Sequence, residues 1–454
     1  MGAGKSADSV VFVRFKSYKN SVLVVFVRFK THKIVDKSVF VCYNGGDIHE
    51  RKDFAMIKRQ RYLDQVIPLI DKKLIKVITG VRRCGKTVLL SQIRDYLLEH
   101  GKTKEQMVSV SLESKRNSRL KSGDALYAYL LSSCEKITGR AYIFLDEIQM
   151  VDKWEEVVSS LLVDLDCDVY ITGSNSKLLS GELATLLAGR YIQIRLYPFT
   201  LSEAKEIAIE SGKYAGDEAL FQDYLKYGGL PMRFSLEEIS LEPYLSDTYD
   251  GIVNKDVVKR HRIKNAALLN ALLTFLMDNV ANPFSARSIV SALEATGIKT
   301  TVGTVVSYIG FIKDAMIVYP APRYDLKGKK LLSTNEKYYA VDLGLRNVIR
   351  NSEAIDYNKL YENVVFLELL CRGYEVRVGK FDDYEIDFVA YKGQSREYYQ
   401  VCYSLNSEKT IDREFGNLAR IRDNYPKFVI SGDFLDFSRD GIRHKNVIRF
   451  LLDE

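Results

Sequence analysis

Leu74-Ile75-Lys76-Val77-Ile78-Thr79, followed at once by Gly80-Val81-Arg82-Arg83-Cys84-Gly85-Lys86-Thr87, is the stretch that decides the fold. Its first six residues are rich in β-branched side chains and read as a buried strand. From Val88 to Leu98 the period becomes helical, with Leu89, Ile93 and Leu97 on one face. Between strand and helix lies Gly-x4-Gly-Lys-Thr. Gly80 and Gly85 let the backbone curl so that its N–H groups surround an anion. The helix N-terminus adds its partial positive charge. Lys86 can reach the β and γ oxygens of a nucleoside triphosphate, and Thr87 can ligate Mg²⁺. Gly80, Val81, Arg82, Arg83, Cys84, Gly85, Lys86, Thr87 and Val88 are therefore the expected cradle for ATP.

Downstream, Ala141-Tyr142-Ile143-Phe144-Leu145 is an apolar strand that ends in Asp146-Glu147. An isolated acidic pair of this kind is usually a turn or a helix cap. Behind a phosphate loop it has a division of labour. Asp146 would hold the hydrated Mg²⁺ with Thr87, and Glu147 would polarise the attacking water. Val169–Thr172 makes a further strand, whose end makes Ser174 and Asn175 candidates to sense a γ-phosphate, with a plain turn as the alternative. Arg190, just before the strand Tyr191–Leu196, is a candidate arginine finger, acting in cis or from a neighbouring copy, with a salt bridge as the alternative. Met107–Leu112 supplies another strand. The alternation of strand and helix predicts a parallel sheet with its site at the strands' C-terminal ends.

The GVRRCGKT loop, FLDEIQ at 144–149, TGSN at 172–175, LAGR at 187–190, LYPFTLSE at 196–203 and Tyr227-Gly228-Gly229-Leu230-Pro231 occur in order. Together they resemble a large group of prokaryotic AAA-type P-loop ATPases that carry a C-terminal domain of unknown function. The resemblance runs from about Met56 to about Ser404. It implies ATP and Mg²⁺, an ATPase sheet with an additional strand, and a helical lid over 204–262.

Length and composition set the outer bounds. The 454 residues are 46% apolar and 28% charged, enough for several packed domains. No stretch approaches the ~18 uncharged apolar residues of a membrane span. The six cysteines form no CxxC pair, which fits reduced thiols in a cytoplasm and argues against zinc. The net charge of +7 is uneven: residues 1–55 carry ten Lys/Arg and five Asp/Glu, so +7 less +5 leaves only +2 elsewhere. Bulk charge therefore gives no vote for nucleic acid. Residues 1–55 also repeat Val-Phe-Val at 11–13, 25–27 and 39–41, twice within VVFVRFK. Such strands without a helix to cover them make a poor domain. A translated DNA repeat ahead of a natural start at Met56 is the expectation; a β appendage is the alternative.

Beyond the lid, Ser285 caps a helix, Gly297 breaks it, and Thr301 caps a second helix running to about Ile312. Ile317–Tyr319 and Lys330–Leu332 flank a turn with Lys327, Lys329 and Lys330. This is the order of a winged helix, assigned to 263–345, with DNA as a candidate partner. The face bearing Thr301, Thr304, Ser307 and Lys313 is only weakly basic, so packing is the competing use. The cluster Lys255, Lys259, Arg260, His261, Arg262 and Lys264 reads first as a solvated helix face.

Residues 346–454 resemble the α/β restriction-endonuclease-like fold. Glu362 lies on a helix at 361–370, Asp387 on a strand, and Gln400 and Cys402 on the next strand. Such a site needs oxygen donors for Mg²⁺ and a lysine beside the attacking water. Cys402 stands at the lysine position and offers no fixed charge; Lys409, in the next helix, is the distant substitute. The expectation is a degenerate nuclease domain. The sequence as a whole reads as an ATP-binding and ATP-hydrolysing chain, monomeric or homo-oligomeric, whose nucleotide state moves its C-terminal half. An ATP-gated DNA-binding or scaffold switch and an ATP-dependent nuclease are the rivals.

Overall fold

The β-branched run before Gly80 forms β1 (Ile75–Thr79), buried along its whole length. It follows α1 (Gln60–Val66) and leads into α2 (Lys86–Glu99). Next come β2 (Met107–Ser111), α3 (Gly123–Cys134), β3 (Ala141–Asp146), α4 (Trp154–Asp164), β4 (Cys167–Gly173) and β5 (Tyr191–Arg195). The computed structural model describes residues 56–174, 187, 189–350 and 355–454, and the two short strands Val24–Val25 and Val41–Cys42. The chain divides into two compact units, Met1–Met56 and Ile57–Glu454. In the first, Val24 pairs with Cys42 and Val25 with Val41, antiparallel. The rest of the repeats, and with them the question of the start at Met56, lie outside the described residues.

β1 to β5 form one parallel sheet in the order β2-β3-β4-β1-β5. Strands buried on both faces carry near-continuous apolar side chains rather than alternating ones, and β1, β3 and β4 do. One face packs Val77, Ile143, Leu145 and Ile171 against Leu126 and Leu130 of α3 and Val158 and Leu161 of α4. Each such residue, fully buried, contributes about 1.5–3 kcal/mol. The register aligns Thr79 with Gly173 and Ser111 with Asp146. The residues just after these strands therefore share one edge of the sheet.

Thr200 opens α5 (Leu201–Glu210) with a reciprocal cap on Glu203. α6 (Asp217–Tyr227) and α7 (Leu241–Ile252) follow, and α7 runs straight into seven residues of π-helix, Val253–Lys259. Then come α8 (Ala266–Asp278), α9 (Ala286–Ala295) and α10 (Val302–Asp314), the last two capped by Ser285 and Thr301.

The hairpin β6 (Val318–Asp325) and β7 (Lys330–Ala340) departs from the expectation of a separate wing. It joins β8 (Glu375–Phe381), β9 (Tyr384–Lys392), β10 (Ser395–Val401), β11 (Lys427–Ser431) and β12 (Arg443–Asn446) in one mixed sheet. The order is β12-β11-β10-β9-β8-β6-β7. β6 runs parallel to β8, with Arg323 opposite Val378 and Asp325 opposite Lys380. A boundary at 345/346 would separate strands of one hydrogen-bonded sheet. Between hairpin and β8 lie α11 (Leu343–Ile349) and α12 (Tyr357–Cys371); α13 (Glu408–Ala419) and α14 (Val447–Leu451) complete the chain.

Asp342, just after β7, ties the lid to the C-terminal half. Its carboxylate accepts from Leu345 N at 3.0 Å, capping α11, and from Gly229 N at 2.6 Å. Burial lifts the Asp342 carboxyl above its usual value, against the lowering effect of those N–H bonds. Within Ile57–Glu454, lid and C-terminal sheet are continuous. Among the described residues, no helix is long and apolar enough to cross a membrane.

Candidate nucleotide site and a second polar pocket

The loop after β1 is shaped by two glycines. A Cβ on Gly80 would stand 2.3 Å from the Leu196 carbonyl oxygen, and Gly85 has φ of 100°. Both positions exclude ordinary side chains. Val81 and Cys84 turn inward and are buried, while Arg83, Thr87 and Val88 face solvent. Burial raises the Cys84 thiol above its usual value, which keeps it an inert packing group. Arg59 braces the loop from behind. It donates to Cys84 O at 3.2 Å and Tyr197 O at 2.9 Å, and pairs with Glu203 at 2.6 Å.

Lys86 is buried and donates to Gly80 O at 3.1 Å and Val81 O at 3.2 Å. Its ammonium lies 3.6 Å from Glu147 Oε1. Thr87 Oγ1 donates to Asp146 Oδ2 at 2.9 Å, so loop and β3 meet through two hard oxygen donors. That donor chemistry suits Mg²⁺, which favours one or two protein oxygens plus substrate phosphates. No cluster of three or more His, Cys, Asp or Glu fit to cage a metal occurs among the described residues.

Thr172, which sequence reasoning passed over, ties the acidic pair together. Its hydroxyl donates to Asp146 Oδ1 at 2.6 Å and accepts from Glu147 N at 2.9 Å. Glu147 itself sits at φ of 56°, turned off the end of β3. Its Oε2 accepts from Gln149 Nε2 and from Ser174 Oγ, the latter at 3.3 Å. Burial works to raise the Glu147 carboxyl, but Lys86, Gln149 and Arg82 outweigh it and hold the group below its usual value.

A second omission is Asp256, on the π-helical turn and almost wholly buried. Its Oδ2 is 3.0 Å from Arg82 Nε, and its Oδ1 is 3.3 Å from Ser174 Oγ and 3.7 Å from Arg260 Nη2. Arg82 also donates to Glu113 at 3.2 Å. The sequence signal was present: Val253, Asp256, Val257 and Arg260 recur at helical spacing, putting one carboxylate on the apolar stripe of a basic helix. Asn175 lies outside the described residues.

Arg190 stands away from the phosphate loop. Its carbonyl accepts from Ile75 N at 2.8 Å, so it stands at the start of β1, not its end. The four steps from Ile75 to Thr79 span about 13 Å. The exposed Arg190 side chain donates instead to Ser159 Oγ at 3.4 Å.

In the C-terminal sheet, Glu362, Asp387 and Gln400 line one pocket of about 750 Å³. Asp387 Oδ2 accepts from Val401 N at 2.9 Å, and Gln400 spans from Asp387 N at 2.8 Å to Glu414 at 2.9 Å. Cys402 faces away, in the apolar cluster with Leu405, Phe415 and Leu418, and burial raises its thiol. Lys409 is exposed and does not line the pocket. The ammonium found there is that of Lys337, from β7. It lies 2.8 Å from Glu362 Oε1, 2.8 Å from Glu385 Oε1 and 3.9 Å from Asp387 Oδ1. Burial opposes its charge, yet the three carboxylates outweigh burial and raise its pKa. Sequence spacing could not find Lys337, because only the sheet register brings β7 here.

The exposed face of α10 presents Val302, Gly303, Val306 and Ser307, with no charge.

Comparison with known proteins places this geometry. Residues 72–205 match the AAA domain, and residues 218–355 match a domain of unknown function (DUF8612). An uncharacterized protein of Haemophilus influenzae is 39% identical over 402 residues, covering 88% of this chain and 99% of that protein. The uncharacterized protein MJ1544 of Methanocaldococcus jannaschii is 32% identical over 365 residues, 77% of this chain and 79% of its own. Among solved structures, Aeropyrum pernix ORC1 in complex with DNA aligns with 65% of this chain and 93% of its own, at 13% identity and a TM-score of 0.31. The domain that the fold and loop define is an AAA-type domain. The chain belongs to the same family as the Haemophilus protein.

Proposed function

We propose that the chain binds and hydrolyses ATP with Mg²⁺ at the edge where β1, β3 and β4 end. One observation carries this reading: Lys86 and Thr87 at the start of α2 stand 3.6 Å and 2.9 Å from Glu147 and Asp146 at the end of β3. Lys86 would exchange the Gly80 and Val81 carbonyls for phosphate oxygens, which are stronger partners for an ammonium. Thr87 and Asp146 would hold the cation, whose contribution is to neutralise charge on the transferred phosphoryl group. Glu147, held ionised, would accept a proton from the attacking water. Lid and C-terminal sheet, joined through Asp342, would shift together as nucleotide state changes.

The test is phosphate release with ATP and Mg²⁺, without DNA and with single- or double-stranded DNA, beside a Lys86→Ala control. Turnover is expected in the wild type and a loss of about 10²-fold or more in the control. Turnover that survives Lys86→Ala sinks the reading. The uncharged face of α10 gives no support to base reading by that helix; stimulation by DNA would make phosphate-backbone contact the partner chemistry.

A second reading has its own observation. Lys337 supplies the ammonium that Cys402 does not, so metal-dependent phosphodiester cleavage in the C-terminal pocket is the rival. Against it, Lys337 already neutralises Glu362 and Glu385. Plasmid nicking with Mg²⁺ or Mn²⁺, lost in Lys337→Ala and in Asp387→Ala, would establish the rival; intact plasmid leaves the pocket a structural ion-pair network.

A further inference from the structure

The proposed site is closed on one side by a residue that belongs to the lid. Asp256 stands on the π-helical turn, yet its partners are Arg82 of the phosphate loop and Ser174 at the end of β4. Arg82 is two residues after Gly80, inside the loop that would wrap the phosphates. Glu147 contributes to keeping it charged, after Asp256. Arg190 is at the far end of the sheet, whereas Arg82 is near enough to Glu147 to help hold its carboxyl low.

We propose that Asp256 is a positioning residue that makes the site distinguish a triphosphate from a diphosphate; this rests on the ATP-hydrolysing reading above. Without nucleotide, Asp256 holds Arg82 at 3.0 Å. A γ-phosphate carries more charge than one carboxylate and presents three acceptor oxygens, so it takes Arg82 from Asp256. A diphosphate does not reach that position and leaves the pair closed.

The Ser174 hydroxyl adds a second consequence. It stands 3.3 Å from Glu147 Oε2 and 3.3 Å from Asp256 Oδ1, but it has one proton to donate. While Asp256 is seated, the two carboxylates share that donor. When Asp256 withdraws, the hydroxyl is committed to Glu147 and fixes it for the water.

The lever is the π-helical turn. Long π runs are rare and cluster at functional sites. Here Asp256 lies in the middle of one, with Val253 and Val257 buried beside it. Just past the turn, His261 stacks on Phe311 of α10, with ring centroids 4.0 Å apart and planes at 14°. One continuous helix therefore runs from the nucleotide site to the helix pair that precedes the C-terminal sheet. Release of Asp256 would be transmitted to α10 through that stacked pair.

The experiment measures Kd by calorimetry for ADP and for a non-hydrolysable ATP analogue, each with Mg²⁺, on the full chain. Asp256→Asn removes the competing charge and is expected to tighten the analogue relative to ADP by about fivefold or more. Asp256→Glu should restore the wild-type ratio. Arg82→Ala should lower the preference for the analogue by a similar factor, and it gives the answer if Asp256→Asn does not fold. Hydrogen exchange should differ between analogue- and ADP-loaded wild type at 253–262 and 302–314, and this difference should vanish in Asp256→Asn. An unchanged Kd ratio in Asp256→Asn or Arg82→Ala, or identical exchange in the two loaded states, overturns the proposal. A wild type that binds neither nucleotide removes the ATPase reading as well; one that binds both with no change at 253–262 removes this inference alone.

Discussion

At the scale of single residues, the site depends on groups that hold the reacting ones in place. Thr172 makes both of its hydroxyl bonds to the acidic pair, at 2.6 Å and 2.9 Å. Thr172→Val keeps the shape and removes both. The expected outcome is a fall in kcat of about 10–100-fold with ATP affinity little changed, since partners of this kind typically carry that much. Steady-state kinetics beside calorimetry would show it; an unchanged kcat would mean that Asp146 and Glu147 need no such support. Glu147 yields a prediction in pH. Its carboxyl is held below its usual value by Lys86, Gln149 and Arg82 against the effect of burial. A base must be ionised, so activity is present above that lowered pKa and is lost as pH falls through it. The acid limb of kcat/KM, which reports the free enzyme, should therefore lie below the ordinary glutamate range. Gln149→Ala, which removes one of the lowering contacts, should move the limb upward. A limb near neutrality in the wild type would contradict the role given to Glu147.

At the scale of elements, close approach of backbones fixes what each junction tolerates. A Cβ on Gly229 would stand 2.2 Å from the Phe199 carbonyl oxygen, where α6 ends and the chain returns past β5. The same peptide donates to Asp342. Gly229→Ala should destabilise the protein by about 1–3 kcal/mol, the usual cost of forcing atoms into a packed site. Urea denaturation would measure this, and a shift under 0.5 kcal/mol would show that the junction yields more easily than about 1 kcal/mol of strain implies. The elements of the ATPase half were legible because each carries a local signal. The period changes from 2 to 3.6 across Gly80–Thr87, and an apolar run ends at Asp146. The rest was hidden for a physical reason. Arg190 follows a plausible motif, but only strand register shows that it stands at the wrong end of β1. Lys337 sits in an unremarkable strand, and its partner Glu362 is 25 residues away on α12. Asp256 was readable as a stripe, yet its partners come from the loop after β1 and the end of β4, which sequence distance conceals.

At the scale of the whole molecule, what matters is where the C-terminal sheet begins. Read from sequence, a winged helix over 263–345 gives way to a nuclease-like domain over 346–454. In the structure, β8 takes β6 as its parallel neighbour, and β7 covers the far side of β6. A chain cut at 345/346 would expose β8 as an unpaired edge, a template for aggregation. It would also lose Lys337 and leave the buried Glu362 without its cation. An unpaired buried charge costs about 3–5 kcal/mol, comparable to the total stability of a small domain. Residues 346–454 alone should therefore be insoluble or lack a cooperative thermal transition. Residues 317–454, which keep the hairpin and Lys337, should unfold cooperatively. Circular dichroism melts of the two fragments decide between these accounts. A shorter fragment that melts cooperatively would show that the hairpin is an accessory to the sheet, and would return the boundary to 345/346. Cooperative melting of the longer fragment alone would make the hairpin part of the C-terminal fold. Any movement of the lid would then be transmitted into β6 and β7, and through them to the pocket that Lys337 lines.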